Sequence, residues 1–225
     1  MNNFCDGHYF QNYHKFKDTR TILDAVVLTN YLQWNNKCTK FFEIGVNKGA
    51  NFAIAIEAKD SMECVLVDPD LTSFNVCVPI ELRTRATCME IYSRDIDYSK
   101  LPCMDFISLD GDPTHPTPTD DLKNLMSITH EQSVIQLSWV NHPDTKYSRE
   151  FLKKANWTKW IELDGSEFWA KCSLQDFINN LIENKSGLLD FSTIIKGNDK
   201  DDYKWKLTTP KFVYEHVELL RDYIK

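Results

Sequence analysis

Between Lys40 and Asp70 the chain reads KFFEIGVNKGANFAIAIEAKDSMECVLVDPD. The run Lys40-Phe41-Phe42-Glu43-Ile44 has the aromatic and β-branched make-up of a buried strand, and it ends at a loop with Gly45 and Gly49. Ala50 to Ala58 suits a helix, and a second apolar run, Glu63 to Val67, closes on Asp68. Strand, glycine loop, helix, strand and acid form the layout of a nucleotide-binding α/β half. No other stretch constrains the fold so tightly.

The rest of the chain extends that layout. Strands are expected at Ala86 to Ile91, Met104 to Leu109 and Ser133 to Val140. Helices are expected near Asp120 to Met126, capped by Thr119, and from Ser148 to Asn156. Asp164-Gly165 between Trp160-Ile161-Glu162-Leu163 and Phe168-Trp169-Ala170-Lys171 predicts a hairpin, because Asp-Gly supplies the positive φ a tight turn needs. The expected fold is therefore α/β: a Rossmann-like, doubly wound and mostly parallel sheet with a terminal antiparallel hairpin.

Residues 1–37 read as a helical lead, with Asp18 as N-cap and Ile22, Leu23, Val26, Val27 and Tyr31 on its apolar face. Residues 38–173 form the cofactor domain. Residues 174–225 read as a C-terminal helical extension, helical from Gln175 to Asn184 and again after Thr209-Pro210, packed on the core or on a partner. Homo-oligomerisation through these helices is one option.

Length and composition set the outer bounds. At 225 residues the chain suits one well-cored domain with additions. A net charge of −7 with no basic run makes nucleic acid an unfavoured partner. No apolar run approaches the roughly 20 residues of a membrane helix, and the N-terminus lacks a signal-peptide core. Seven cysteines form no CxxC, which favours a reducing, cytoplasmic setting.

Several residues stand where chemistry is done. Gly45 and Gly49 let the backbone approach a ligand, and the helix that follows offers free N–H groups and a positive dipole end. Asn47 stands between them, so the G-x-G-x-x-G fingerprint of dinucleotide enzymes is absent, as is the Gly-Lys-Ser/Thr of phosphate loops. Asp68 ends strand two, where a carboxylate accepts hydrogen bonds from ribose hydroxyls. His115 and His142 lie on loops at the same edge of the sheet, each a candidate base.

Glu43-Ile44-Gly45-Val46-Asn47-Lys48-Gly49, Val65-Leu66-Val67-Asp68 and Asp105-Phe106-Ile107-Ser108-Leu109-Asp110-Gly111-Asp112 together resemble the motifs of class I S-adenosylmethionine-dependent methyltransferases. The subgroup they most resemble acts on hydroxyls of small molecules and sugars, and its Asp-Leu falls in register at Asp121-Leu122. The resemblance spans about residues 38 to 172. It implies S-adenosyl-L-methionine as cofactor, with Glu43, Gly45, Asn47 and Gly49 along its methionine part and Asp68 on its ribose. It also implies Ser93 and Asp95 beside the adenine, and Asp110 and Asp112 beside the sulfonium as catalytic groups; His115, which stands where the subgroup carries Tyr, is a catalytic candidate from its loop position alone.

Two departures stand out. Pro113 occupies the position where the subgroup carries His, and Ser138-Trp139 occupies the end of strand five where some relatives carry His-Asp. A divalent metal is therefore not favoured. The implied activity is O-methylation of a small molecule or sugar. The alternatives are a non-catalytic binding domain of the same fold and, less favoured, an RNA or protein methyltransferase, since Gln136 stands where cap ribose methyltransferases place Lys.

Overall fold

Phe41 and Phe42 are neighbours on one strand, so they point to opposite faces, and both are fully buried. The sheet is therefore covered on both sides, as a parallel α/β sheet must be. The computed structural model describes residues 38–59, 61–162 and 166–171, together with the backbone of two further strands, 192–196 and 203–207. The helices expected over 1–37, 175–184 and after Thr209 lie outside the described residues.

Seven strands make one sheet: β1 (Lys40–Ile44), β2 (Glu63–Val67), β3 (Ala86–Met89), β4 (Phe106–Leu109), β5 (Val134–Ser138), β6 (Thr158–Glu162) and β7 (Ser166–Ala170). Their order is β3-β2-β1-β4-β5-β7-β6. The first five run parallel, and β7 pairs antiparallel with both β5 and β6. This is the expected doubly wound sheet with its terminal hairpin.

Helices cover the faces: α1 (Ala50–Ala58), α2 (Thr72–Cys77), α3 (Ile80–Arg83), α4 (Thr117–Leu125) and α5 (Thr145–Lys154). One core holds Phe42, Ile107, Leu122, Ile135, Leu152 and Trp169. Across the sheet, Phe41 stacks on Phe106 at 5.8 Å, and Phe106 leans on Phe168 at 6.3 Å. Burying one such ring contributes about 1.5–3 kcal/mol, so these faces dominate the stability of the domain.

The boundaries differ from expectation where backbone chemistry outweighs pattern. Helix α4 starts at Thr117, not after Thr119, with Pro116 as N-cap and Pro118 in its first turn. Prolines fit there because first-turn N–H groups lack helical partners anyway. Helix α5 starts at Thr145, earlier than Ser148, and closes through Asn156 at φ 61, with Trp157 N–H donating to the Leu152 carbonyl at 2.9 Å.

Helices α2 and α3 were not foreseen; Phe74 of α2 meets Phe52 edge-on at 5.5 Å. A separate antiparallel pair, β8 (Ser192–Lys196) and β9 (Tyr203–Leu207), also corrects the purely helical reading of the C-terminal extension. Its Ile-Ile and Tyr-x-Trp alternation suits strands, but the surrounding polar residues hid it. Among the described residues no helix is long and apolar enough to cross a membrane.

Candidate active site

Strand order reverses between β1 and β4, the point where α/β sheets as a rule carry their ligand crevice, beyond the carboxyl ends of the strands. Gly45 sits in it at φ 84. A Cβ on Gly45 would lie 2.5 Å from the Asp110 carbonyl carbon and 2.6 Å from Gly111 N. Only glycine lets the loop after β1 touch the loop after β4. Gly49, at φ 82, serves a second purpose: its Cβ would strike the Phe74 ring at 2.7 Å. The structure thus places Gly49 against α2, as the N-cap of α1.

Asp68 holds this loop from the next strand. Its Oδ2 accepts the N–H groups of Val46 at 2.8 Å and Asn47 at 3.1 Å, and its Oδ1 accepts that of Asp70 at 2.9 Å. Asn47 itself is exposed and left-handed, at φ 46. Helix α1 has no side-chain cap, so no cap side chain satisfies its first-turn N–H groups at the positive end of its dipole.

Glu43 is placed differently from the other loop residues. It is 1% exposed, and Asn51 Nδ2 of α1 donates to its Oε1 at 2.7 Å and to Ser108 Oγ of β4 at 2.9 Å. These three buried polar groups tie β1, β4 and α1 together beneath the loop. Asn51 and Ser108 were missed from sequence, although a polar residue inside the apolar run ANFAIAIEA was the available signal.

On the far side of β2, Ser93 and Asp95 form a 3-10 turn after β3. Asp95 is exposed. Ser93 instead hydrogen-bonds the buried carboxylate of Asp121 on α4, and its carbonyl accepts from Tyr98 Oη at 3.2 Å. Burial raises the Asp121 carboxyl above the ordinary carboxylate range, and the Ser93 bond opposes that shift. Asp121 therefore links the turn after β3 to the helix after β4.

Beyond β4, Asp110 is half-buried at the crevice and Asp112 is exposed. Asp112 Oδ1 accepts the Thr114 N–H at 2.9 Å, closing its own loop. His115 lies against Tyr147 with the rings tilted by 31° and their centroids 4.2 Å apart, and its backbone N–H donates to Asp144 at 3.2 Å. The loops after β4 and β5 are thereby braced against each other.

At the end of β5, Trp139 is strained. Its φ is 59, a conformation that costs a bulky residue about 1–3 kcal/mol. Its carbonyl is held by Thr145 Oγ1 at 2.7 Å and the His142 N–H at 2.8 Å, and its indole N–H reaches the Asp110 carbonyl at 3.4 Å. No sequence signal marked this arrangement.

Behind it, Glu167 of β7 is fully buried and pairs with Arg149 at 2.9 Å and Lys159 at 3.2 Å. Arg149 is a structural ion-pair partner here. Among the described residues, no three His, Cys, Asp or Glu side chains gather as metal ligands would.

No family model matches the chain, and no curated protein matches it either. Solved structures do. The chain is similar to the SAH-bound methyltransferase PaMTH1 of Podospora anserina, at TM-score 0.57 and 13% identity, over 77% of this chain and 89% of that one. It is similar to CalS11, a TDP-rhamnose 3'-O-methyltransferase of calicheamicin biosynthesis, at TM-score 0.54 and 11% identity, over 68% and 80%. It is also similar to a precorrin-6y C5,15-methyltransferase from Geobacter metallireducens GS-15, at TM-score 0.54 and 12% identity, over 68% and 89%. The protein therefore has the Rossmann-like fold of the class I methyltransferases.

Proposed function

We propose that the protein transfers a methyl group from S-adenosyl-L-methionine to a hydroxyl of a small molecule or sugar. One observation carries the reading. At the point where strand order reverses, Gly45 presses the loop after β1 onto Asp110-Gly111 while Asp68 clasps that loop from β2. A crevice so built takes an extended nucleoside-bearing ligand.

The residues present fit the cofactor. The open amino end of α1 suits a carboxylate, as on the methionine part. Asp68 Oδ1 keeps a lone pair for a ribose hydroxyl, and the turn at Ser93 and Asp95 borders the adenine. Once bound, the cofactor supplies a methyl group already activated on a positive sulfur. The chain's own residues then have little to do beyond aligning the acceptor and taking its proton. Asp110 and Asp112 orient the acceptor hydroxyl, and Asp112, being exposed, passes the proton to solvent. His115 is held on Tyr147 and serves as a wall or as a second proton acceptor.

A second reading has its own support. Asp112 is already engaged with Thr114, and Ser138-Trp139 puts neither carboxylate nor imidazole at the end of β5. That arrangement suits a domain that binds the cofactor without turnover. Calorimetric titration with S-adenosylhomocysteine, followed by its release assay against phenols, sugars and RNA, separates the two. Binding with turnover supports the enzyme; binding with no turnover on any acceptor supports the second reading; no binding removes both.

A further inference from the structure

Asp121 is a buried acid that the packing of the fold does not call for. It is 3% exposed on α4, next to Leu122 and one turn before Leu125, which seat that helix on the core. Burial raises its carboxyl, the negative charges of Asp120 and Asp112 add to the shift, and only the bond to Ser93 opposes it. An acid kept in such surroundings costs stability. Groups held at that kind of cost gather where a site needs them.

What Asp121 holds is the turn after β3. The Ser93 hydroxyl bonds the Asp121 carboxylate, and the Ser93 carbonyl accepts from Tyr98 Oη at 3.2 Å. Tyr98 is itself buried and leans on Phe42 of β1 with ring centroids 6.4 Å apart, and Ile96 packs on the same core. The turn is thus fastened at a side chain from α4 and at its backbone from the core. Its other side chains are open to solvent: Tyr92, with the Arg94 guanidinium 4.4 Å from its ring centroid, and Asp95. A three-residue turn fixed in advance spares a ligand the cost of ordering it.

The geometry points to Asp121 and Tyr98 as positioning residues for the cofactor, which act through Ser93 to hold the Ser93–Asp95 turn in the pose that receives the adenine. This rests on the methyltransferase reading above and adds to it two residues from outside the crevice. Because α4 follows the loop of Asp110 and Asp112, the same clasp ties the adenine end of the site to the acceptor end.

The test measures binding of S-adenosylhomocysteine and of its hypoxanthine counterpart, S-inosylhomocysteine, to the full chain by calorimetry. Wild type is expected to bind the adenine form more tightly. Asp121→Ala is expected to weaken that form about tenfold and to narrow its advantage over the hypoxanthine form. Asp121→Asn, which keeps an oxygen for the Ser93 hydroxyl, is expected to stay within about twofold of wild type. Tyr98→Phe deletes one hydroxyl from a ring that still fills its place, and is expected to weaken binding about threefold. Ser93→Ala combined with Asp121→Ala is expected to lose no more than Asp121→Ala alone, since both changes cut one bond.

A purely structural role would shift the melting temperature of Asp121→Ala and leave its affinity and adenine preference at wild-type values. That result overturns the inference, as does wild-type affinity in Tyr98→Phe. Additive losses in the double variant also overturn it, because Ser93 would then serve the ligand without Asp121. These outcomes require that wild type binds S-adenosylhomocysteine, and then the inference alone falls. If wild type does not bind it, the methyltransferase reading falls and takes the inference with it.

Discussion

The carboxylate of Asp68 accepts the backbone N–H of Val46 at 2.8 Å, so the acid ending β2 holds the glycine loop that follows β1. An acid in this position is therefore a brace as well as a candidate ribose ligand. Asp68→Ala frees two loop amides at once. It is expected to cost roughly 1–2 kcal/mol, since hydrogen bonds to a charged acceptor are worth more than neutral ones. It should also weaken S-adenosylhomocysteine binding at least tenfold. Thermal melts and calorimetry read both effects, and a variant with wild-type affinity would remove Asp68 from the site.

Gly45→Ala and Gly111→Ala make a matched pair. The first forces a Cβ onto the Asp110 backbone at positive φ; the second brings one only to 3.2 Å from Ile44 Cγ2. Gly45→Ala should cost about 2 kcal/mol or more from strain and overpacking and abolish cofactor binding. Gly111→Ala should be milder in denaturant unfolding, since a side-chain methyl can give way where backbone cannot. Equal losses would mean that the close approach of the two loops is not what Gly45 provides.

Glu167 is an acid inside an apolar strand, fully buried, with Arg149 and Lys159 about one-third exposed on it. Removing Glu167 takes the shared carboxylate from both cations. Glu167→Ala should cost about 3 kcal/mol, the low end for a broken buried pair, because both cations still reach water. Arg149→Met with Glu167→Leu should recover part of that loss. Chemical denaturation of the single and double variants checks it.

Asp121 gives a pH signature. Its carboxyl is raised by burial, so the folded state holds its proton more tightly than the unfolded chain does. Its contribution to stability is complete below the ordinary carboxylate value of about 3.9 and is lost as pH rises through the raised folded value. Asp121→Asn has no such loss. Stability measured between pH 3 and pH 8 should therefore show the variant gaining on wild type as pH rises. Parallel curves would show that Asp121 does not titrate differently on folding.

The strand-loop-helix-strand run from Lys40 to Val67 was legible because its residues serve local geometry. Apolar runs mark strands buried on both faces, and β2 and α1 fall where the pattern puts them. Gly45 was legible as a close-approach residue, although what it approaches was not. Asp121 was visible as half of an Asp-Leu pair, and its bond to Ser93 was invisible, since nothing in a linear pattern says which loop lies over a helix. The short helices α2 and α3 escaped because Phe74 is fixed by contact with Phe52 across the fold, not by periodicity.

The sequence by itself determined the order of the seven sheet strands and of the longer helices between them, the glycines of the first loop and the acids that end β2 and β4. These follow from side-chain volume, backbone freedom and apolar pattern within a dozen residues. Tertiary structure alone decided that Asp68 clasps Val46, that Glu43 lies sealed with Asn51 and Ser108, and that Ser138, Trp139 and Ser148 share one cleft. Those relations join residues far apart in the chain, and a hydrogen bond or a shared cavity depends on distance in space, which local chemistry does not encode.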